Sequence, residues 1–126
     1  MNKLIEAATK AQNNAHAPHS NYKVGAALLT EDGSIVNGCN VESSSYGLTC
    51  CAERTALYSA IAQGHTKFKE LAVVTENGAS PCGACRQVIW DLCGDIPIHI
   101  ADNDGNVSET SSKELLPGAF DSTMLK

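Results

Sequence analysis

Any fold for this chain must bring two distant segments together: Cys51-Ala52-Glu53-Arg54 and Pro81-Cys82-Gly83-Ala84-Cys85. A Cys-x-x-Cys pair plus a distant third Cys is one ligand short of a closed tetrahedral zinc site. Structural zinc sites fill all four positions with protein donors, whereas catalytic ones keep one position for water. Glu53, two residues beyond the third thiol, is the kind of group that moves protons on and off such a water. The candidate ligands are therefore Cys51, Cys82 and Cys85, holding one zinc ion per chain, with Glu53 as the candidate acid–base group. Three alternatives stay open at this level: a structural zinc knob closed by Cys50 or Cys39, a Cys-x-x-Cys redox pair, and a disulfide framework.

The disulfide reading depends on compartment. The N-terminal stretch Met1–Ala8 has no continuous apolar run of signal-peptide type, and no segment approaches the ~20 apolar residues of a membrane span. Without export the thiols stay reduced, so a cytoplasmic location is expected and Cys-x-x-Cys points to metal or redox chemistry. Cys39, Cys50 and Cys93 then default to small buried hydrophobes. The formal net charge is −5 and the basic residues are scattered. That balance disfavours a nucleic-acid footprint and a polybasic membrane contact. A chain of 126 residues suffices for one domain spanning 1–126.

Periodicity supplies the frame. Leu4, Ile5, Ala8 and Ala11 share one face of a helix expected over 2–15, which Pro18 ends. Strands are expected at 24–30 and 35–39, with Asp32-Gly33 between them as a hairpin turn. A second helix, about 50–63, has Thr49 as its candidate cap and Ala52, Ala56, Leu57, Ala60 and Ile61 as apolar positions. A strand at 71–75 precedes a third helix, 82–93, stopped by Gly94. Strands at 96–101 and 106–110 follow, joined by a connection short enough to require antiparallel pairing. The strand–helix–strand order before them implies a right-handed parallel unit. The expected architecture is α/β and three-layered: a mixed five-stranded sheet with helices on both faces.

Both cysteine segments fall at expected helix starts, where free backbone N–H groups and the helix dipole favour thiolate. Two residues apart on a helix means about 200°, so Cys51 and Glu53 would diverge along a helix side. At the first turn, with the metal beyond the helix end, both can face one spot. Three thiolates leave a zinc ion with net negative charge, so a compensating cation is expected beside them. Arg54 is the candidate.

Taken with these motifs, the chain resembles the small cytidine deaminases over nearly its whole length. The matching stretches are His19–Ala27, Gly38–Glu42, Cys51–Ala56, Ser80–Gln87 and Glu114–Phe120. The pattern also fits the general signature of zinc deaminases, three Cys with a non-ligand Glu and Pro-Cys-x-x-Cys. The resemblance implies hydrolysis of cytidine and 2′-deoxycytidine to the uridines and ammonia, in pyrimidine salvage. It implies that Asn40 and Glu42 bind the ribose hydroxyls and that the Ala52 backbone meets the base edge. Tyr22 stands where the family more often has Phe, lining the substrate site. Phe120 matches an aromatic that reaches a neighbouring subunit's pocket, and Tyr46 one near the same interface, so a homotetramer is expected. Blasticidin S is a competing cytosine substrate, and a non-enzymatic zinc module is the competitor from another class.

Overall fold

The structure, a computed structural model, describes residues 2–125. Helix α1 spans Lys3–Gln12, strand β1 Gly25–Thr30, β2 Ile35–Cys39, and helix α2 Ala52–Ala62. Strand β3 is Phe68–Val74, helix α3 Gly83–Cys93, β4 Pro97–Ala101, β5 Val107–Ser111, and the short helix α4 Ser112–Leu115. The sheet order is β2-β1-β3-β4-β5. Only β3 and β4 run parallel, with α3 as the crossover; the β1–β2, β1–β3 and β4–β5 pairs are antiparallel. This is the expected mixed five-stranded sheet.

Alternation along the strands sorts side chains to the two faces. On one face, Ala27, Ala72, Val74 and Ala101 meet Leu4, Ile5 and Ala8 of α1. On the other, Ala26, Leu28, Leu71, Val73, Ile98 and Ile100 pack against Ala56, Leu57 and Ala60 of α2 and Ile89 of α3. Leu28, Leu57, Leu71, Ile89 and Ile98 are wholly buried, each contributing about 1.5–3 kcal/mol of transfer free energy. Helix α1 covers one face and α2 and α3 together cover the other, so the site-bearing ends of α2 and α3 share one side of the sheet.

Two glycines set how closely the layers approach. A Cβ on Gly25 would lie 1.9 Å from the carbonyl oxygen of Ala8, and one on Gly38 would lie 2.5 Å from the amide nitrogen of Ala56. Helix α1 therefore rests directly on β1, and α2 directly on β2.

Several boundaries differ from the sequence expectations. The first helix ends at Gln12 rather than 15: its side chain turns inward, buried, and donates to the carbonyl of Lys23 at 3.0 Å. The second helix is not capped by Thr49. Thr49 closes a 3-10 turn at Tyr46–Leu48 and its hydroxyl accepts from the Ser43 amide, while Cys51 takes the N-cap position of α2. Ile61, placed on the apolar face from spacing, is 43% exposed. Strand β3 begins at Phe68, ahead of the expected 71, because Phe68 pairs across a register shift with Thr30 at the end of β1.

Candidate active site

The backbone turns that end strands and start helices assemble the site. Cys51 is the N-cap of α2 and Cys82 the N-cap of α3, with Cys85 in the first turn of α3. The Cys82 Sγ itself accepts from the Cys85 amide at 3.5 Å, as a side-chain oxygen does at a conventional cap. The Cys51 and Cys82 sulfurs lie 3.9 Å apart, those of Cys82 and Cys85 3.4 Å apart. All three fall within 4.8 Å of one another, the sole such His/Cys/Asp/Glu group among the described residues.

A zinc ion bonded tetrahedrally at ~2.3 Å holds its sulfurs about 3.8 Å apart. The observed spacings bracket that value, so these donors fit a zinc ion. Neither Cys39 nor Cys50 joins the group. A structural site closed by either of them therefore lacks its fourth donor in this arrangement.

The three thiols are electrostatically unequal. The neighbouring Cys85 thiol, and after it the Arg54 guanidinium, hold the Cys51 pKa down at about 5, against the opposing effect of burial. Cys85 is pushed the other way, up, first by its pairing with Cys51 and then by burial. The Arg54 guanidinium donates to the Cys51 sulfur at 3.4 Å. Its Nε is buried and has no partner.

Glu53 is 4% exposed, and burial raises its carboxyl to a pKa of about 7, helped by the neighbouring Cys51 charge. It lines a cavity of about 480 Å³ together with Cys51, Cys82 and Ala52. Cys51 and Glu53 do face one space, because Cys51 sits on the extended cap residue rather than within the helix proper.

The cavity's opposite wall comes from the segment before β1 and from the residues just after β2. Tyr22, Val24, Asn40, Glu42 and Ser20 line it. Asn40 and Glu42 stand beyond the end of β2, not on it. Their positions are fixed instead by isolated bridges that Val41 makes with His16 and Cys50. Asn40 is buried; its Oδ1 accepts from the Val24 amide at 2.9 Å and its Nδ2 donates to the Tyr22 carbonyl at 2.8 Å. The Glu42 carboxylate accepts from the backbone N–H groups of His19 and Ser20 at 2.9 and 3.1 Å, and from the Ser20 hydroxyl. These bonds, the Ser20 hydroxyl foremost, lower its pKa. An ionised Glu42 is acceptor-only, suited to a ligand hydroxyl.

Phe120 does not line this cavity. The residue is 53% exposed, while its carbonyl accepts from Gln87 Nε2 at 2.7 Å and the next residue, Asp121, accepts from Trp90 Nε1 at 3.0 Å. Helix α3 thus anchors the segment that presents Phe120 outward. Tyr46, 73% exposed, meets the His19 ring edge-on, at 5.5 Å between centroids.

Sequence reasoning did not single out Ser20, Thr75, Ser80 or Arg86. Arg86 joins three pieces of chain: Nε donates to the Pro81 carbonyl at 2.8 Å, the two terminal nitrogens to the Leu115 carbonyl at 3.0 Å and the Ser80 hydroxyl at 2.8 Å. Ser20 and Arg86 lie inside matched motifs, but nothing local marks their partners.

The family model for the cytidine and deoxycytidylate deaminase zinc-binding region matches residues 1–97. A cytidine deaminase of Sporosarcina psychrophila is 52% identical over 121 residues, covering 94% of this chain and 89% of its own. The 1.6 Å crystal structure of cytidine deaminase from Burkholderia pseudomallei aligns with a TM-score of 0.90 at 52% identity, covering 94% of this chain and 97% of that one. The Mycobacterium tuberculosis cytidine deaminase structure gives 0.81 at 39% identity, with 94% of each chain covered.

Proposed function

The chain belongs to the zinc-binding cytidine and deoxycytidylate deaminase family, and we propose that it hydrolyses cytidine and 2′-deoxycytidine to the uridines with release of ammonia. The observation that carries this reading is Glu53 on the wall of a cavity it shares with Cys51 and Cys82. Cys51, Cys82 and Cys85 are the proposed ligands of one zinc ion per chain. Bound there, zinc acidifies water from a pKa of 15.7 toward ~7 and so supplies a nucleophile at neutral pH.

Glu53 accepts a proton from the attacking water as oxygen adds to C4 of the base, and delivers it to ring N3. It then takes the remaining proton of that oxygen and passes it to the exocyclic amine, which leaves as ammonia. The C4–N bond breaks as the C4 carbonyl forms, and the balance is one water consumed. A pKa raised to about 7 by burial suits a group that must both accept and return protons near neutrality. Arg54 holds the charge of the sulfurs in balance. The Ala52 backbone is the proposed partner of the base edge, Tyr22 a wall beside it, and Asn40 and Glu42 the partners of the ribose hydroxyls.

Among the described residues no Lys or Arg lines the cavity, and Glu42 brings a negative charge to it. This favours a nucleoside over a nucleotide, whose phosphate would seek a cationic partner. We further propose that the whole chain acts as one domain, assembles as a homotetramer in which Phe120 enters a neighbour's pocket, and serves pyrimidine salvage in the cytoplasm. Among the described residues, no helix is long and apolar enough to cross a membrane. Metal analysis, with turnover compared for cytidine, deoxycytidine, the monophosphate and blasticidin S, tests the reading. Both nucleosides should react and the monophosphate should not; turnover confined to blasticidin S would replace it.

A further inference from the structure

A side-chain hydrogen bond ties the wall that carries Tyr22 to the loop that leads into Cys82. Tyr22 projects from the irregular segment before β1, and its backbone is fixed on both sides: its carbonyl accepts from Asn40, and its amide donates to the Ser20 hydroxyl at 3.0 Å. Its hydroxyl donates to Asn77 Oδ1 at 2.6 Å, across 55 positions of sequence. Asn77 belongs to the loop between β3 and α3, which goes on through Ala79, Ser80 and Pro81 to Cys82. That loop is knitted around the same atom. The Thr75 hydroxyl donates to Asn77 Oδ1 at 3.4 Å and accepts from the Ala79 amide at 3.0 Å. Tyr22, Thr75, Ala79 and Ser80 all line the cavity.

We propose that the Tyr22–Asn77 hydrogen bond is a latch that positions the Tyr22 ring and sets the width of the substrate cavity. Asn77 is then a positioning residue: it lines no part of the cavity and acts through Tyr22 and the β3–α3 loop. The inference rests on the proposed deaminase reading for its kinetic consequence but not for its structural one. Without the bond, ring and loop sample orientations that substrate must reorganise, a cost that falls on binding rather than on the chemical step.

The test uses zinc-loaded wild type, Tyr22→Phe, Asn77→Leu, the double variant and Asn77→Asp, which keeps an acceptor in place. Amide hydrogen exchange over residues 75–80 should accelerate in Tyr22→Phe and Asn77→Leu. In both, KM for cytidine should rise roughly 3- to 10-fold, as expected for one lost hydrogen bond, with kcat within about twofold. The double variant should be no worse than either single, and Asn77→Asp should stay near wild type. Unchanged exchange and KM in Tyr22→Phe, or effects that multiply in the double variant, would overturn the latch. A wild type that turns over no cytidine would overturn the proposed function alone, and the exchange measurements would still decide the latch.

Discussion

Gly38 lies directly beneath the first turn of α2: a Cβ on it would stand 2.4 Å from the carbonyl oxygen of Ala52. Ala52 sits between Cys51 and Glu53, so this contact fixes the height of the proposed metal ligand and the carboxylate above β2. The obstacle is backbone and cannot swing aside. Gly38→Ala should therefore lower stability by at least the ~1–3 kcal/mol of an overpacked core, read as a fall in Tm, and should lower zinc content as α2 lifts. A variant with wild-type Tm and zinc would show that the helix is not seated on this glycine.

Arg54 donates to the Cys51 sulfur and is the cation next to the thiol cluster. Its removal leaves three thiolates and one zinc ion without a neutralising charge. Arg54→Ala should weaken zinc retention or turnover by roughly 10- to 100-fold, the usual effect of losing a group that supports metal ligands. A chelator competition alongside a cytidine assay reads both. Wild-type values in both would remove this role.

Phe120 has an outward ring and a carbonyl held by Gln87. If that ring stacks on a base in a neighbouring subunit, Phe120→Ala should raise KM about 10-fold, from the loss of one aromatic–base stack. Subunits carrying Phe120→Ala, mixed with subunits carrying Glu53→Gln, should then regain activity beyond either alone, since each supplies what the other lacks. A fully active monomer at high dilution would contradict the cross-subunit role.

Cys93, at the end of α3, is a thiol whose burial raises its pKa from 9.0 to about 12. The folded state keeps its proton where the unfolded chain has lost it. Below pH 9 both states are protonated and the group contributes no pH dependence; from about pH 9 toward 12 its stabilisation is progressively lost. Urea unfolding should show a falling free energy over that window, with a shallower slope in Cys93→Ala. An identical slope in the variant would assign the alkaline loss to other groups.

The sequence revealed those parts of the site that obey local rules. Thiol spacing marked Cys51, Cys82 and Cys85; apolar periodicity marked the buried face of α1; Asp32-Gly33 marked the first hairpin, where Gly33 takes a φ of 90°. What stayed hidden depends on register and on chain segments meeting through space. The Ser20–Glu42 and Tyr22–Asn77 contacts join residues 22 and 55 positions apart, and no periodicity encodes such a pairing. Thr favours helix caps generally, but Thr49 closes a 3-10 turn here and Cys51, in extended conformation, takes the cap of α2. Gly38 sat within a recognised motif, yet its role is visible only once α2 lies upon it.

The most direct measurement compares zinc content and cytidine turnover in the wild type and Glu53→Gln. The amide keeps the shape of the side chain and removes its ability to carry a proton. Zinc should remain near one ion per chain while turnover falls by at least ~10³-fold, within the range attributed to general acid–base catalysis. Substantial turnover in the variant would contradict the assignment of Glu53 as the proton carrier, and with it the mechanism proposed for this cavity.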